Sequence, residues 1–244
     1  MQNQAMGYDR AATMFSPDGH LLQVEYAEKA VKWGSGSIGM VCSDGVLIVA
    51  NRRVKDNLIL EESANKIYEI DKHIIAAAAG ILSDGRVLVE EAQLISQQNR
   101  VTYDSDINVE LVIKEISNMK QKFTQYGGVR PFGVAVMVAG VSGGKPQLFL
   151  SDVTGNYFSY KAVAVGQHDE KIKEVLRQEY KDMPIKDGVK FLLKIFKRVL
   201  EKDYNTIQFD VAYIKTDDKK LKRMSSEEIK KHEGSKEWAR LKQK

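Results

Sequence analysis

The sequence predicts an α+β fold: a four-layer αββα sandwich, with two antiparallel sheets enclosed between helical layers. Three observations carry this. Strand-length apolar segments come in pairs around tight turns, and strands joined so closely must be antiparallel neighbours. Pairs of helical patterns interrupt the strands, as layers packed outside the sheets would. Runs such as "VLIVA" (46–50) and "IIAAAA" (74–79) are apolar at consecutive positions, which suits sheets covered on both faces.

The elements follow in order. Residues 20–32 place Leu21, Val24, Ala27 and Val31 at helical spacing, behind the turn-starting pair Pro17-Asp18. "SIGMVCSDGVLIVANRRV" (37–54) reads as two strands around Asp44-Gly45, and "KIYEIDKHIIAAAAG" (66–80) repeats the design around Asp71-Lys72. Two helical stretches come next. Residues 83–99 carry Val87, Leu88, Ala92 and Ile95; residues 106–125 carry Val109, Val112, Ile116, Met119 and Phe123. After "YGGVRP" the strands return. "FGVAVMVAGV" and "QLFLSDV" flank a Gly-Gly turn, and "NYFSYKAVAV" follows Thr154-Gly155. Helices fit 168–180 and 187–202, and a last strand, "IQFDVAYIK" (207–215), precedes a basic terminal helix. The order is helix, four strands, two helices, four strands, two helices, strand, helix.

With 244 residues, 43% of them hydrophobic, and only four prolines, one compact domain is expected. The lone cysteine, Cys42, sits in the apolar run "IGMVCS" and reads as a buried core thiol. It can form no internal disulfide, and the four scattered histidines suggest no metal site. The N-terminus has no apolar signal core, and no window approaches the roughly 18 apolar residues of a membrane span, so a cytoplasmic protein is expected. Residues 215–244 hold 11 Lys+Arg against 6 Asp+Glu; the other 214 residues hold 26 against 27. The body is neutral and the tail basic. With Trp238 as its single aromatic, that tail reads as a solvated helix, not as a nucleic-acid-binding face.

Two glycine motifs fail on context. Gly34-Ser35-Gly36-Ser37-Ile38-Gly39 matches G-x-G-x-x-G, but a dinucleotide site needs a strand before the loop and a helix after it, and here the order is reversed. "SGGKP" (142–146) lacks Walker spacing. A Gly-Ser step opening the first strand of a sheet sandwich, by contrast, is where an N-terminal nucleophile hydrolase keeps its catalytic residue.

The stretch "YDRAATMFSPDGHLLQVEYAEKAV" (8–31) closely resembles the N-terminal signature of proteasome α subunits, the archaeal type in particular. "GVLIVANRRV", "NKIYEI", "GILSDGRVLVEEAQ", "TQYGGVRPFGVAVMVAG" and "YKAVAVG" agree in order, so the resemblance covers roughly residues 7–230. It implies the N-terminal nucleophile hydrolase fold in a non-catalytic member, with no cofactor. It further implies homo-heptameric α rings that cap β rings, gate the passage of unfolded substrates and dock a regulatory AAA ATPase through its C-terminal tails. The chain would divide into a gate segment and turn (1–19), a sandwich domain (20–231) and a basic tail (232–244).

Site residues follow from the same resemblance. Ser35 stands near the nucleophile position, but 34 residues precede it, so its nitrogen is an amide and cannot act as the base. Asn51 lies where β subunits usually carry a supporting aspartate. No catalytic residue is therefore expected. Tyr8, Asp9, Pro17 and Tyr26 match the cluster that fixes the open gate. Lys66 and Gly80 match a pocket that takes the terminal carboxylate of an activator tail. Tyr126, Gly127, Gly128 and Val129 match a loop lining the throat below the gate. Ala12, Gly36 and the length of the basic extension depart from the family pattern. The alternative reading is an autoprocessed hydrolase cleaved at Gly34-Ser35.

Overall fold

The computed structural model describes residues 7–8, 10–52 and 58–233. A turn at residues 16–20 introduces the first helix. Ser16 O accepts from Gly19 N (2.9 Å), Ser16 N donates to His20 O (2.8 Å), and Ser16 Oγ accepts from His20 N (3.1 Å). Helix α1 (Leu22–Trp33) follows, with Glu25 in its first turn and Lys32 in its last, as the helix dipole favours. Then come β1 (Ser37–Cys42), β2 (Gly45–Asn51), β3 (Ile67–Asp71) and β4 (Ile74–Gly80), followed by α2 (Leu82–Tyr103) and α3 (Val109–Gln125). Strands β5 (Val134–Ser142), β6 (Lys145–Ser151), β7 (Tyr157–Ser159) and β8 (Ala162–Val165) precede α4 (Asp169–Glu179) and α5 (Ile185–Leu200). The chain continues through β9 (Phe209–Lys215), β10 (Leu221–Arg223) and α6 (Ser226–Glu233), which crosses the expected boundary at residue 231.

Two features correct the sequence reading. The two strands of "NYFSYKAVAV" belong to different sheets: β7 pairs with β6, and β8 pairs with β1. The chain passes from one sheet to the other at residues 160–161, a step that alternation within the segment does not encode. The short β10, unanticipated, pairs with β9.

Both sheets are antiparallel and five-stranded, ordered β10-β9-β2-β1-β8 and β3-β4-β5-β6-β7. Three cores explain the uninterrupted apolar runs. On β2, Leu47 and Val49 face a core closed by α4 and α5, while Val46, Ile48 and Ala50 face the space between the sheets. On β4, Ile75, Ala77 and Ala79 fill that same central space, while Ile74, Ala76 and Ala78 pack under α2 and α3. Strands buried on both faces have no solvent side to carry polar residues. Gly39 belongs to this packing: a Cβ there would lie 2.5 Å from Met137 Sδ, so the third glycine of the dinucleotide-like motif lets the sheets approach. Cys42 is buried, and burial, the largest cause, pushes its thiol up to about 12.

Lys120 was not anticipated. It lies on the buried side of α3 and is fully inaccessible; its Nζ donates to Ser151 O (3.2 Å) and Ser151 Oγ (3.4 Å). Burial lowers its ammonium to about 7, against a weaker opposing attraction from Asp152. The folded value lies below the unfolded value of 10.5. The burial cost is therefore full below about pH 7 and is relieved as pH rises from there toward 10.5, where only the unfolded chain keeps the proton. Lys120→Met is expected to stabilise the fold by about 1–4 kcal/mol at pH 6.5, the range seen when buried charge yields to matched apolar volume. The gain should shrink by pH 9.5. Urea midpoints of both proteins at the two pH values check this.

Candidate functional site

The segment joining α1 to β1 runs through the point where several expected site residues meet. Gly34 packs against β4 so closely that a Cβ on it would lie 2.3 Å from Gly80 N. Gly80 itself has φ +127, and a Cβ there would lie 2.1 Å from Gly133 O. Only glycine fits either position without displacing backbone. Gly34 O accepts from Gln167 N at 2.7 Å, and Gly34 N donates to Val31 O at 3.1 Å. The Gly34–Ser35 junction is thus built into the fold on both sides.

Lys66 enters this junction from the residue before β3. Its side chain is buried, not solvated, and its Nζ donates to the Ser35 carbonyl. Lys66 and Gly80 therefore converge on the same short segment, one through Ser35 and the other through Gly34. Asn51, at the end of β2, donates its N–H to Gly36 O at 2.9 Å. Its buried Oδ1 meets no donor among the described residues. Asn51 and Lys66 thus both bond to the segment that joins α1 to β1, one at Gly36 and the other at Ser35. The Ser35 nitrogen lies within the chain, Asn51 offers an amide where a carboxylate would support charge, and Lys66 donates its hydrogen bond to a carbonyl.

Asp210, on β9, was not singled out from sequence, and it fixes Lys66 in place. Its Oδ2 accepts from Lys66 N (3.0 Å) and Ile67 N (2.9 Å), and both its oxygens accept from Arg223 Nη1 at 3.1 Å. Arg223 Nη2 also donates to Ile67 O. One carboxylate thus joins the start of β3, in one sheet, to β9 and β10 in the other. A signal existed: an Asp inside the apolar strand "IQFDVAYIK" needs buried partners.

The expected gate residues lie apart from this junction. Pro17 is exposed on the 16–20 turn, Tyr8 is half-buried, and Tyr26 is 41% exposed on α1 with Lys29 Nζ 5.3 Å from its ring centroid. Asp9 lies outside the described residues. Among those described, no hydrogen bond joins Tyr8, Pro17 and Tyr26 within one chain. The 126–129 loop is a third location. Tyr126 caps α3 through its N–H to Lys122 O (3.1 Å), and its side chain is largely exposed, as is part of Val129; nothing crowds Gly127 or Gly128. Arg130 holds the end of this loop through both guanidinium nitrogens on Asp84 (2.6 and 2.7 Å), which also accepts from Gly133 N. Burial works against that carboxylate, but the Arg130 and Gly133 contacts hold it below its ordinary range.

Among the described residues, no helix is long and apolar enough to cross a membrane. Comparison with known proteins agrees with this geometry. Residues 8–30 match the N-terminal signature of A-type proteasome subunits, and residues 31–214 match the proteasome subunit family. The chain is 43% identical over 226 residues to the proteasome α subunit of Archaeoglobus fulgidus, covering 92% of each chain. It is 43% identical over 227 residues to that of Pyrococcus horikoshii, covering 93% of this chain and 86% of the relative. For Methanosarcina acetivorans the identity is 41% over 228 residues, covering 93% and 92%. The signature and the two-sheet sandwich converge: the chain belongs to the proteasome subunit family, in its α type.

Proposed function

We infer that this chain is a non-catalytic, cytoplasmic subunit that builds the outer heptameric rings of a proteasome core particle. There it gates the passage of unfolded polypeptides to a β-ring proteolytic chamber and docks the C-terminal tails of a regulatory AAA ATPase. One observation carries the non-catalytic reading: the Gly34–Ser35 junction is packed against Gly80 and hydrogen-bonded to Gln167, with Lys66 bound to the Ser35 carbonyl. Cleavage there would release a helix that the fold uses, and would free an amine at a site whose carboxylate is replaced by Asn51. Intact mass of the assembled particle tests this directly, because a chain beginning at Ser35 would overturn it in favour of the autoprocessed hydrolase.

The gate reading assigns residues 1–12, ahead of the Ser16–His20 turn, to the mouth of the ring, with Tyr8, Asp9, Pro17 and Tyr26 fixing the open state. Switching requires states within a few kcal/mol of each other. The 126–129 loop, with open space where side chains on Gly127 and Gly128 would stand and with an anchored end, suits a narrow throat. Removing residues 2–12 is expected to let core particles degrade a long unstructured substrate several-fold faster without activator, while short fluorogenic peptides gain less. Equal rates on the long substrate would end the gating role for this segment.

A further inference from the structure

The edge of the β10-β9-β2-β1-β8 sheet carries a cleft unrelated to the Lys66–Gly80 junction. It lies between β8 and α4, has a volume of about 420 Å³, and is lined by Tyr160, Lys161, Lys173, Arg177 and Tyr180, with Ala162 and Leu176 as its apolar floor. That volume is within the roughly 300–1,000 Å³ of functional ligand sites. The lining holds three cations and no carboxylate. Lys173 is paired one turn back along α4 with Asp169, at 2.6 Å. Lys161 and Arg177 are exposed and pair with no carboxylate among the described residues.

The strand edge adds hydrogen-bonding groups. Lys161 O accepts from Val41 N at 2.8 Å, and Ala162 stands opposite Met40. In an antiparallel pair, bonded and non-bonded positions alternate, so the N–H and C=O of Ala162 point away from β1. Ala162 itself lines the cleft. Tyr180 OH donates to Val41 O (3.3 Å), which fixes that wall. Burial, the largest cause for both, raises the Tyr160 and Tyr180 phenols above their ordinary value, so both stay protonated at neutral pH.

The geometry points to a docking site for a short, extended, acidic peptide segment of another polypeptide. Its backbone would meet the Ala162 edge, its apolar side chains the Ala162–Leu176 floor, and its carboxylates Lys161, Lys173 and Arg177. Strand addition with charged flanks is an established peptide-recognition mode. The chemistry favours peptide over nucleic acid. The cleft is a compact pocket with an apolar floor, and residues 1–214 are near charge balance, 26 Lys+Arg against 27 Asp+Glu, without the basic excess of a nucleic-acid reader. This assignment stands independently of the gating and activator readings.

The test uses the full-length chain, both alone and in reconstituted core particles. The probe is a fluorescein-labelled hexapeptide alternating valine and glutamate, amidated so that it carries no terminal carboxylate. Saturable binding by fluorescence anisotropy is expected. Replacing glutamate with glutamine should weaken it about tenfold, as should the charge-reversed protein Lys161→Glu/Arg177→Glu. That variant should instead bind the valine–lysine peptide, an exchange that misfolding cannot produce. Equal affinity for the glutamate and glutamine peptides, or for the wild-type and reversed proteins, would overturn the proposal. So would displacement of the probe by single-stranded oligonucleotide. Failure of the particle to bind the probe, coupled with loss of rings in the reversed protein, would also overturn it, by assigning the cleft to a second copy of this chain.

Discussion

Lys66→Ala is expected to remove most of the stimulation that activator C-terminal peptides give to reconstituted particles. The proposed contact is a charge-assisted hydrogen bond between an ammonium and a free carboxylate. Such a bond is worth about 1.5–3 kcal/mol when shielded from water, against about 0–1 for an exposed pair. The burial of Lys66 selects the larger figure. Docking should weaken roughly ten- to a hundred-fold per tail, and simultaneous engagement of several tails multiplies the loss. The Ser35 carbonyl now bonded by Nζ gives the site a preset donor direction. Lys66→Arg should therefore rescue only partly, because a planar guanidinium cannot occupy the same narrow position. The measurement is peptidase activity titrated with a synthetic activator tail, each particle referred to its own rate without activator. Ring formation is followed by size-exclusion chromatography. A wild-type midpoint and amplitude in Lys66→Ala rings would remove Lys66 from the docking site.

The second large effect is expected at Asp210. Alanine there deletes the acceptor for two buried backbone donors, Lys66 N and Ile67 N, and strips Arg223 of its carboxylate. Breaking one side of such a buried pair costs about 3–5 kcal/mol. For a chain of this size, that lowers the melting temperature by roughly 6–20 °C. Asp210→Asn keeps one acceptor oxygen and should lose about half as much stability. The two substitutions also separate structure from function. If Asp210 positions Lys66, the folded Asn variant should need more activator tail for half-maximal stimulation while its maximal rate stays near normal. An Asn variant with reduced stability and an unshifted midpoint would make Asp210 a structural staple alone.

The limits of sequence reasoning are visible in particular residues. The paired strands around Asp44-Gly45 and Asp71-Lys72, the helix pairs and their order were legible because each depends on local period and turn chemistry. So were both faces of burial on β2 and β4, since consecutive apolar residues have only one stable setting. The family was legible for a different reason: the 8–31 signature is contiguous, so its match needs no folding to assemble it.

What the tertiary structure decided is long-range. "NYFSYKAVAV" reads as consecutive strands, yet β7 and β8 belong to different sheets, because strand pairing is chosen by distant partners and not by the segment's own pattern. Lys120 looks like a solvated helix lysine until Ser151 is brought beneath it from a strand 31 residues away. Lys66, Asn51, Gly80 and Asp210 are scattered over 160 positions of sequence. Only the stacking of the two sheets brings Lys66 to the Ser35 carbonyl, Gly34 onto Gly80 and Asp210 under the start of β3. Local propensity acts over a few residues; a site made by three strands and a helix end exists only once the layers that hold it are packed.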